Sequence, residues 1–142
     1  MIGNDIVDLR LAAMQSNWKR RGFLDKVYTP NEQAMILRSS RPDIVVWRLW
    51  SMKESAYKAR LRLEKQIQIN PKDFDCQFFT EDKGIVTCDS KTYSTLSVID
   101  ENYIHTQAYH EELNADLSSE VIDLKQTRLQ SKNLYKVVTS SL

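Results

Sequence analysis

The stretch from Asp43 to Lys65 constrains the fold most, because it contains neither glycine nor proline and is dominated by good helix-forming residues. Its large apolar side chains recur at spacings of three, seven and four residues, at Trp47, Trp50, Tyr57 and Leu61. This spacing puts them on one side of a helix. We therefore predict one long helix from about Asp43 to about Lys65, around which the rest of the chain is organised.

A carboxylate and an ammonium lie beside the apolar stripe of this predicted helix. Glu54 follows Trp50 by one helical turn and precedes Lys58 by another, whereas Lys53 points about 100° away from Glu54. Glutamate four residues before lysine is also the arrangement of a solvated surface pair, which stabilises a helix by only about 0.3–0.5 kcal/mol. The helix alone therefore leaves open whether Glu54 and Lys58 form a surface pair or part of a site.

The N-terminal segment places an acidic residue in apolar surroundings. Asp5 has as its neighbours in sequence Ile2, Ile6, Val7 and Leu9. A carboxylate buried among such residues is costly unless a cation or a hydrogen-bond donor accompanies it. Gly3 permits close approach of another backbone or an unusual dihedral angle. Asp8 is either the N-cap of a following helix or a second acidic group of a site.

Two segments about fifty residues apart carry a resemblance to a known family. The first, GNDIVDL, runs from Gly3 to Leu9, and the second, WSMKESAYKA, runs from Trp50 to Ala59. Between them, the segment from Phe23 to Glu32 is similar to the family's boundary between its first helix and the next. In this order and at this distance, the segments resemble the 4'-phosphopantetheinyl transferase superfamily, and most closely its short members, the holo-acyl-carrier-protein synthases.

The resemblance implies an enzyme that transfers 4'-phosphopantetheine from coenzyme A to a serine of an acyl or peptidyl carrier protein and releases 3',5'-ADP. In that family the first-motif aspartate and the second-motif glutamate hold Mg²⁺, which implies Asp5 and Glu54 as metal ligands. The second-motif lysine contacts the phosphate region, which implies Lys58 as a catalytic and substrate-binding residue beside Glu54. The pathway of the carrier, whether fatty-acid, polyketide or peptide synthesis, stays open.

These residue types suit that chemistry. Mg²⁺ is often held by one or two carboxylates together with substrate phosphates, and a lysine adds positive charge where negative charge develops. Lys53 is a further candidate for binding substrate phosphates. Arg48, on the same predicted helix, is either another phosphate-binding residue or a surface arginine.

The one basic cluster with aromatic neighbours lies between Trp18 and Phe23. It is a solvated face, a nucleic-acid contact or, by the resemblance, a surface that meets an acidic carrier protein. The candidates for carrier binding are Arg10, Lys19, Arg20, Arg21 and Lys26. A net charge of +1 favours neither nucleic acid nor a membrane surface as a general partner.

The chain also departs from the family pattern. No glycine-rich turn follows Lys58, and no histidine directly follows the segment from Ser94 to Ile99. These departures favour an alternative in which the chain is a non-catalytic module of the same fold that binds a carrier or another protein. A third hypothesis, independent of them, is a Mg²⁺-dependent hydrolase of a small diphosphate. Val7 stands where longer members carry a second acidic residue, which agrees with the short class. A single lobe implies a homo-oligomer, a trimer by analogy, with coenzyme A at a subunit boundary.

Composition bounds the class of protein. The 142 residues, of which 42% are hydrophobic and 27% charged, predict one globular domain over residues 1–142, with an uncertain tail from about residue 113. The start of the chain lacks a long apolar run, so we expect no signal peptide and no membrane span. Cys76 and Cys88 match no zinc motif and predict reduced thiols in the cytoplasm, with a single disulfide as the alternative.

Local patterns predict an α+β fold in which an antiparallel sheet packs against the long central helix. Thr29, Pro30 and Glu32 predict a helix start, and Asp43 is the predicted cap of the central helix. The predicted strands cover residues 1–6, 75–79, 84–88, 93–100 and 103–109. Further helices are predicted over residues 8–18 and 128–138. His105 and His110 fall on opposite faces of one strand, which argues against a metal pair.

Overall fold

The predicted central helix is present in a computed structural model of the chain, which describes residues 2–64 and 70–110, and it extends over Pro42–Leu63. The cap prediction was wrong, because Pro42 begins the helix one residue early and Arg41 occupies the N-cap position. Asp43 therefore lies within the first turn, where its carboxylate accepts a hydrogen bond of 2.6 Å from the indole N–H of Trp18.

After the first strand, all the helices precede the other four strands in the described part of the chain. In order the elements are β1 (Ile2–Asp8), α1 (Leu9–Gln15), α2 (Phe23–Val27), α3 (Pro30–Arg38), α4 (Pro42–Leu63), a 3-10 helix (Pro71–Asp73), β2 (Asp75–Phe78), β3 (Lys83–Cys88), β4 (Lys91–Ile99) and β5 (Tyr103–His110). The strands form one sheet in the order β1-β5-β4-β3-β2, with every neighbouring pair antiparallel. The predicted α+β class, with an antiparallel sheet against a long helix, is confirmed.

Side-chain caps set the starts of two shorter helices. Asp8 is the N-cap of α1, where its carboxylate accepts a hydrogen bond of 3.0 Å from the backbone N–H of Leu11. Thr29 and Glu32 form the predicted capping box of α3. The helix predicted over residues 8–18 ends early, at Gln15, so Trp18 lies beyond it.

The core lies between α4 and one face of the sheet. The apolar side chains of α4 that are most buried there are Val46, Leu49, Met52, Ala56 and Ala59. They pack in one cluster with sheet residues that include Val7, Cys76, Val86, Tyr93, Ile104 and Ala108. The helix therefore covers the sheet from β1 at one edge to β2 at the other.

The structure also bears on the expectations for the cysteines, for a membrane span and for the C-terminal tail. Both cysteines are buried and free, so the alternative of a disulfide between them is not realised. Of the helices within residues 2–64 and 70–110, none has the length and apolar character needed to cross a membrane. The helix predicted over residues 128–138 and the tail of the predicted single domain lie outside the described residues.

Candidate functional site

The edge strand β1 makes a very close approach to α4 at Gly3. A Cβ atom at this position would lie 1.9 Å from the carbonyl oxygen of Ser55 and 2.5 Å from the backbone nitrogen of Ala59. Both neighbours are helix backbone, which cannot rotate away as a side chain can. The close approach expected for Gly3 is therefore present, and it carries Asp5, two residues along the same face of the strand, onto the helix.

We expect Gly3→Ala to push β1 away from α4 and to destabilise the protein by about 1–3 kcal/mol, the usual effect of forced overpacking. Thermal unfolding measures this change. Asn4→Ala, which alters an exposed side chain of the same strand, is the matched control and leaves the unfolding midpoint nearly unchanged. A Gly3→Ala protein as stable as the wild type would contradict the close packing at this point.

Asp5 and Lys58, which are 53 residues apart in sequence, meet where β1 crosses α4. The ammonium of Lys58 lies 3.3 Å from Oδ1 of Asp5, and their side chains are 47% and 12% exposed, respectively. Among the described residues, the second oxygen, Oδ2, is buried without a hydrogen-bond partner. Burial raises the pKa of Asp5 above its usual range, and Lys58 and Ser51 offset this only in part.

Glu54 lies one turn before Lys58 on α4 and is half-buried. Burial raises the pKa of Glu54, the negative charge of Asp5 raises it further, and Lys58 lowers it. Lys58 makes its ion pair with Asp5 and not with Glu54, so the surface pair left open by the sequence is not formed. The charge of Asp5 thus adds to burial in opposing the ionisation of Glu54, and one half-exposed ammonium does not fully compensate.

This donor set fits a hard divalent cation. Residues 2–64 and 70–110 contain no cluster of three or more histidine, cysteine, aspartate or glutamate side chains placed to hold a metal ion. A cation between Asp5 and Glu54 would thus have two carboxylate ligands, with water and substrate oxygens as the others, which is the coordination that Mg²⁺ favours. The unpaired Oδ2 of Asp5 and the opposed carboxylates are what such a cation would satisfy.

The structure directs Lys53, predicted to bind substrate phosphates, into the core. Its side chain is 4% exposed, and its ammonium forms a salt bridge of 2.7 Å with the fully buried carboxylate of Glu32. It also donates hydrogen bonds to the backbone carbonyls of Pro71 and Phe74. All three N–H groups of the ammonium are therefore engaged within the protein, and the arrangement leaves none for a phosphate.

Arg48 is likewise internal, which agrees with neither interpretation offered by the sequence. It is 6% exposed, donates hydrogen bonds to the carbonyls of Thr80 and Lys83 at 2.9 and 3.2 Å, and lies 3.8 Å from the ring centre of Phe78. Burial lowers the pKa of Arg48 to about 10. Its contacts tie α4 to the turn between β2 and β3, away from the Asp5–Lys58 pair.

The five basic residues proposed to meet a carrier are all exposed: Arg10, Lys19, Arg20, Arg21 and Lys26. They lie on α1, on α2 and on the segment between these helices. Lys19 and Arg20 are held over the rings of Trp18 and Phe23, at 5.4 and 5.1 Å from the ring centres. Because Trp18 is buried and Phe23 half-buried, these contacts restrict the positions of the Lys19 and Arg20 side chains.

Two apolar residues of α1 belong to the same surface and were missed by sequence reasoning. Leu11 is 46% exposed and Met14 is 78% exposed, close in sequence to Arg10. The signal was present, because Leu9 and Leu11 are two residues apart and so point to different sides of a helix. Only one of them could face the core.

Solved structures share this fold. The chain matches holo-(acyl-carrier-protein) synthase from Neisseria meningitidis with a TM-score of 0.63 and 16% identity, over 78% of this chain and 96% of that one. It matches the Helicobacter pylori synthase in complex with coenzyme A with a TM-score of 0.59 and 18% identity, over 78% of this chain and 99% of that one. It also matches the Bacillus anthracis synthase in complex with CoA (3',5'-ADP), with a TM-score of 0.61 and 18% identity, over 77% of this chain and 93% of that one. The lobe therefore has the holo-(acyl-carrier-protein) synthase fold.

The sequence match identifies the family to which the chain belongs. The sequence model of the 4'-phosphopantetheinyl transferase superfamily matches residues 1–114. This match covers most of the chain, including β1, α4 and every other described element. The chain therefore belongs to the 4'-phosphopantetheinyl transferase superfamily. A search of curated proteins finds no match.

Proposed function

We propose that this chain transfers the 4'-phosphopantetheine group from coenzyme A to a serine of an acyl or peptidyl carrier protein, with Mg²⁺ held by Asp5 and Glu54. In this reaction the serine oxygen forms a bond to the phosphorus of the phosphopantetheine group, the bond from that phosphorus to the bridging oxygen breaks so that 3',5'-ADP leaves with this oxygen, and the hydroxyl proton passes to solvent. The observation that carries the proposal is the meeting of Asp5, Glu54 and Lys58 at the crossing of β1 and α4 in a chain of this superfamily.

The three side chains have separable tasks in this proposal. When bound, Mg²⁺ would neutralise and orient the diphosphate of coenzyme A. Asp5 and Glu54 would hold the ion, since burial raises the pKa of both carboxyl groups and the charge of Asp5 raises that of Glu54 further. Lys58 is half exposed, and its pair with Asp5 is of the weak, solvent-screened kind. Its ammonium can therefore turn to a phosphate oxygen at little cost.

The basic surface of α1 and α2 is the proposed contact for the carrier protein. Carriers of this reaction are acidic by the resemblance, and an exposed basic surface steers an acidic partner. Leu11 and Met14 add an apolar centre to it. The coenzyme A complexes of structures with the same fold support coenzyme A as the donor. The proposal includes a homo-oligomer, a trimer by analogy. It also includes a cytoplasmic location, with which the two free buried cysteines agree.

Mass spectrometry of an apo carrier protein incubated with this chain, coenzyme A and Mg²⁺ tests the reaction. We expect the carrier to gain the mass of one phosphopantetheine group, and EDTA to prevent the gain. A carrier whose acceptor serine is replaced by alanine is the control and gains nothing. A salt-sensitive complex with the carrier, without mass gain or coenzyme A binding, would instead select the non-catalytic binding module.

A further inference from the structure

Helix α4 carries two fully buried serines one turn apart, and they differ in their hydrogen bonds. The hydroxyl of Ser55 donates to the carbonyl oxygen of Ser51 at 2.6 Å and lies 3.0 Å from the carbonyl oxygen of Thr106 on β5. The hydroxyl of Ser51 has no hydrogen-bond partner in the part of the chain that the structure describes. Ser55 thus follows the usual pattern of a serine inside a helix, and Ser51 does not.

An unpaired hydroxyl at this position needs an explanation. A buried polar group without a partner is unfavourable, and nearly all such groups in proteins are paired. Alanine would also form helix better than serine. Fold stability alone therefore gives no reason for the oxygen atom of Ser51.

A second unpaired oxygen lies close to it. Oδ2 of Asp5 is buried without a partner among the described residues. Ser51 lies two turns before Lys58 on the same face of α4, and Lys58 contacts Asp5. The strand register supports the same placement, because Asp5 lies opposite Thr106, whose carbonyl is contacted by Ser55. An unpaired donor of α4 and an unpaired acceptor of β1 are thus both buried where the strand crosses the helix.

We propose that Ser51 is a positioning residue for Asp5, whose hydroxyl donates to Oδ2 and fixes the plane of the carboxylate that binds the metal ion. The inference rests on the proposed role of Asp5 as a metal ligand. Hydrogen bonds of this kind orient ligating carboxylates, and their loss commonly weakens metal affinity by about 10–100-fold. Ser51 would then belong to the same site as Asp5, Glu54 and Lys58. It lies within the segment from Trp50 to Ala59, but it is uncharged, so a search for charged residues does not find it.

Binding of Mn²⁺ to the full chain, measured by electron paramagnetic resonance in the presence of coenzyme A, tests this role. Mn²⁺ is a suitable probe because it shares the preference of Mg²⁺ for carboxylate and water ligands. We expect Ser51→Ala to weaken Mn²⁺ binding by about 10–100-fold. Without metal, its thermal midpoint stays close to that of the wild type, since the better helix propensity of alanine offsets the lost hydrogen bond to Oδ2.

Ser55→Ala is the matched control with the opposite expectation. It loses the contacts with Ser51 and Thr106, so its thermal midpoint falls by a few degrees while Mn²⁺ binding stays at the wild-type level. A Ser51→Ala protein that binds Mn²⁺ as tightly as the wild type overturns the inference, and the proposed function stands if Asp5→Asn still loses the ion. Equal binding by the wild type and Asp5→Asn overturns both.

Discussion

Asp5→Asn and Glu54→Gln are each expected to lower the rate of phosphopantetheine transfer by on the order of 10²–10³-fold, because each removes a negative ligand where the diphosphate charge must be neutralised. The fold should survive, since each amide keeps the shape of the acid. Both carboxyl groups have raised pKa values, so their charges are unfavourable in the metal-free protein. Thermal midpoints measured without metal are therefore expected to match or exceed that of the wild type.

Asp8→Asn is the control for this pair of substitutions. Asp8 lies on the same strand, but its carboxylate caps α1 through Leu11, and asparagine is as good an N-cap as aspartate. We expect wild-type transfer by Asp8→Asn, measured on the same carrier protein. A loss equal to that of Asp5→Asn would mean that the acidic edge of the strand as a whole, and not the Asp5–Glu54 pair, supports the reaction.

The elements that local rules govern could be predicted from the sequence. The capping box of Thr29 and Glu32 depends on contacts three residues apart, and that prediction is confirmed. Of the two roles left open for Asp8, the structure shows the N-cap, which is also local. The meeting of Asp5 with Lys58 spans 53 residues and depends on no local rule. It was reached through the resemblance of two motifs, and the structure supplies the physical reason, which is the close approach at Gly3.

The charged residues of α4 show where sequence reasoning failed. Lys53 was predicted to bind substrate phosphates and Arg48 to bind them or to lie on the surface, but both side chains are buried, which is rare for charged residues. Their partners lie 18–35 residues away in sequence, on other elements, so no local pattern announces them. The start of β4 was predicted two residues late, because Asp89 and Ser90 form a tight turn with positive φ angles but without the glycine that usually marks one.

Lys53→Met is expected to destabilise the protein by about 3–5 kcal/mol, the usual loss when one partner of a buried salt bridge is removed. Methionine fills a similar volume, but it leaves the carboxylate of Glu32 charged and 0% exposed. That carboxylate would keep its hydrogen bonds from the backbone N–H groups of Thr29 and Cys76, which do not replace a positive charge. Urea unfolding measures the change in the free energy of unfolding.

Lys58→Met, five residues along the same helix, is the matched control and separates packing from chemistry. Lys58 is 47% exposed, so its loss should change stability by no more than about 1 kcal/mol. Transfer should nevertheless fall, whereas the folded fraction of Lys53→Met should keep its specific activity. Adding Glu32→Gln to Lys53→Met removes the uncompensated charge and should recover part of the lost stability. If Lys53→Met is as stable as Lys58→Met, the salt bridge between Lys53 and Glu32 does not hold α3 to α4.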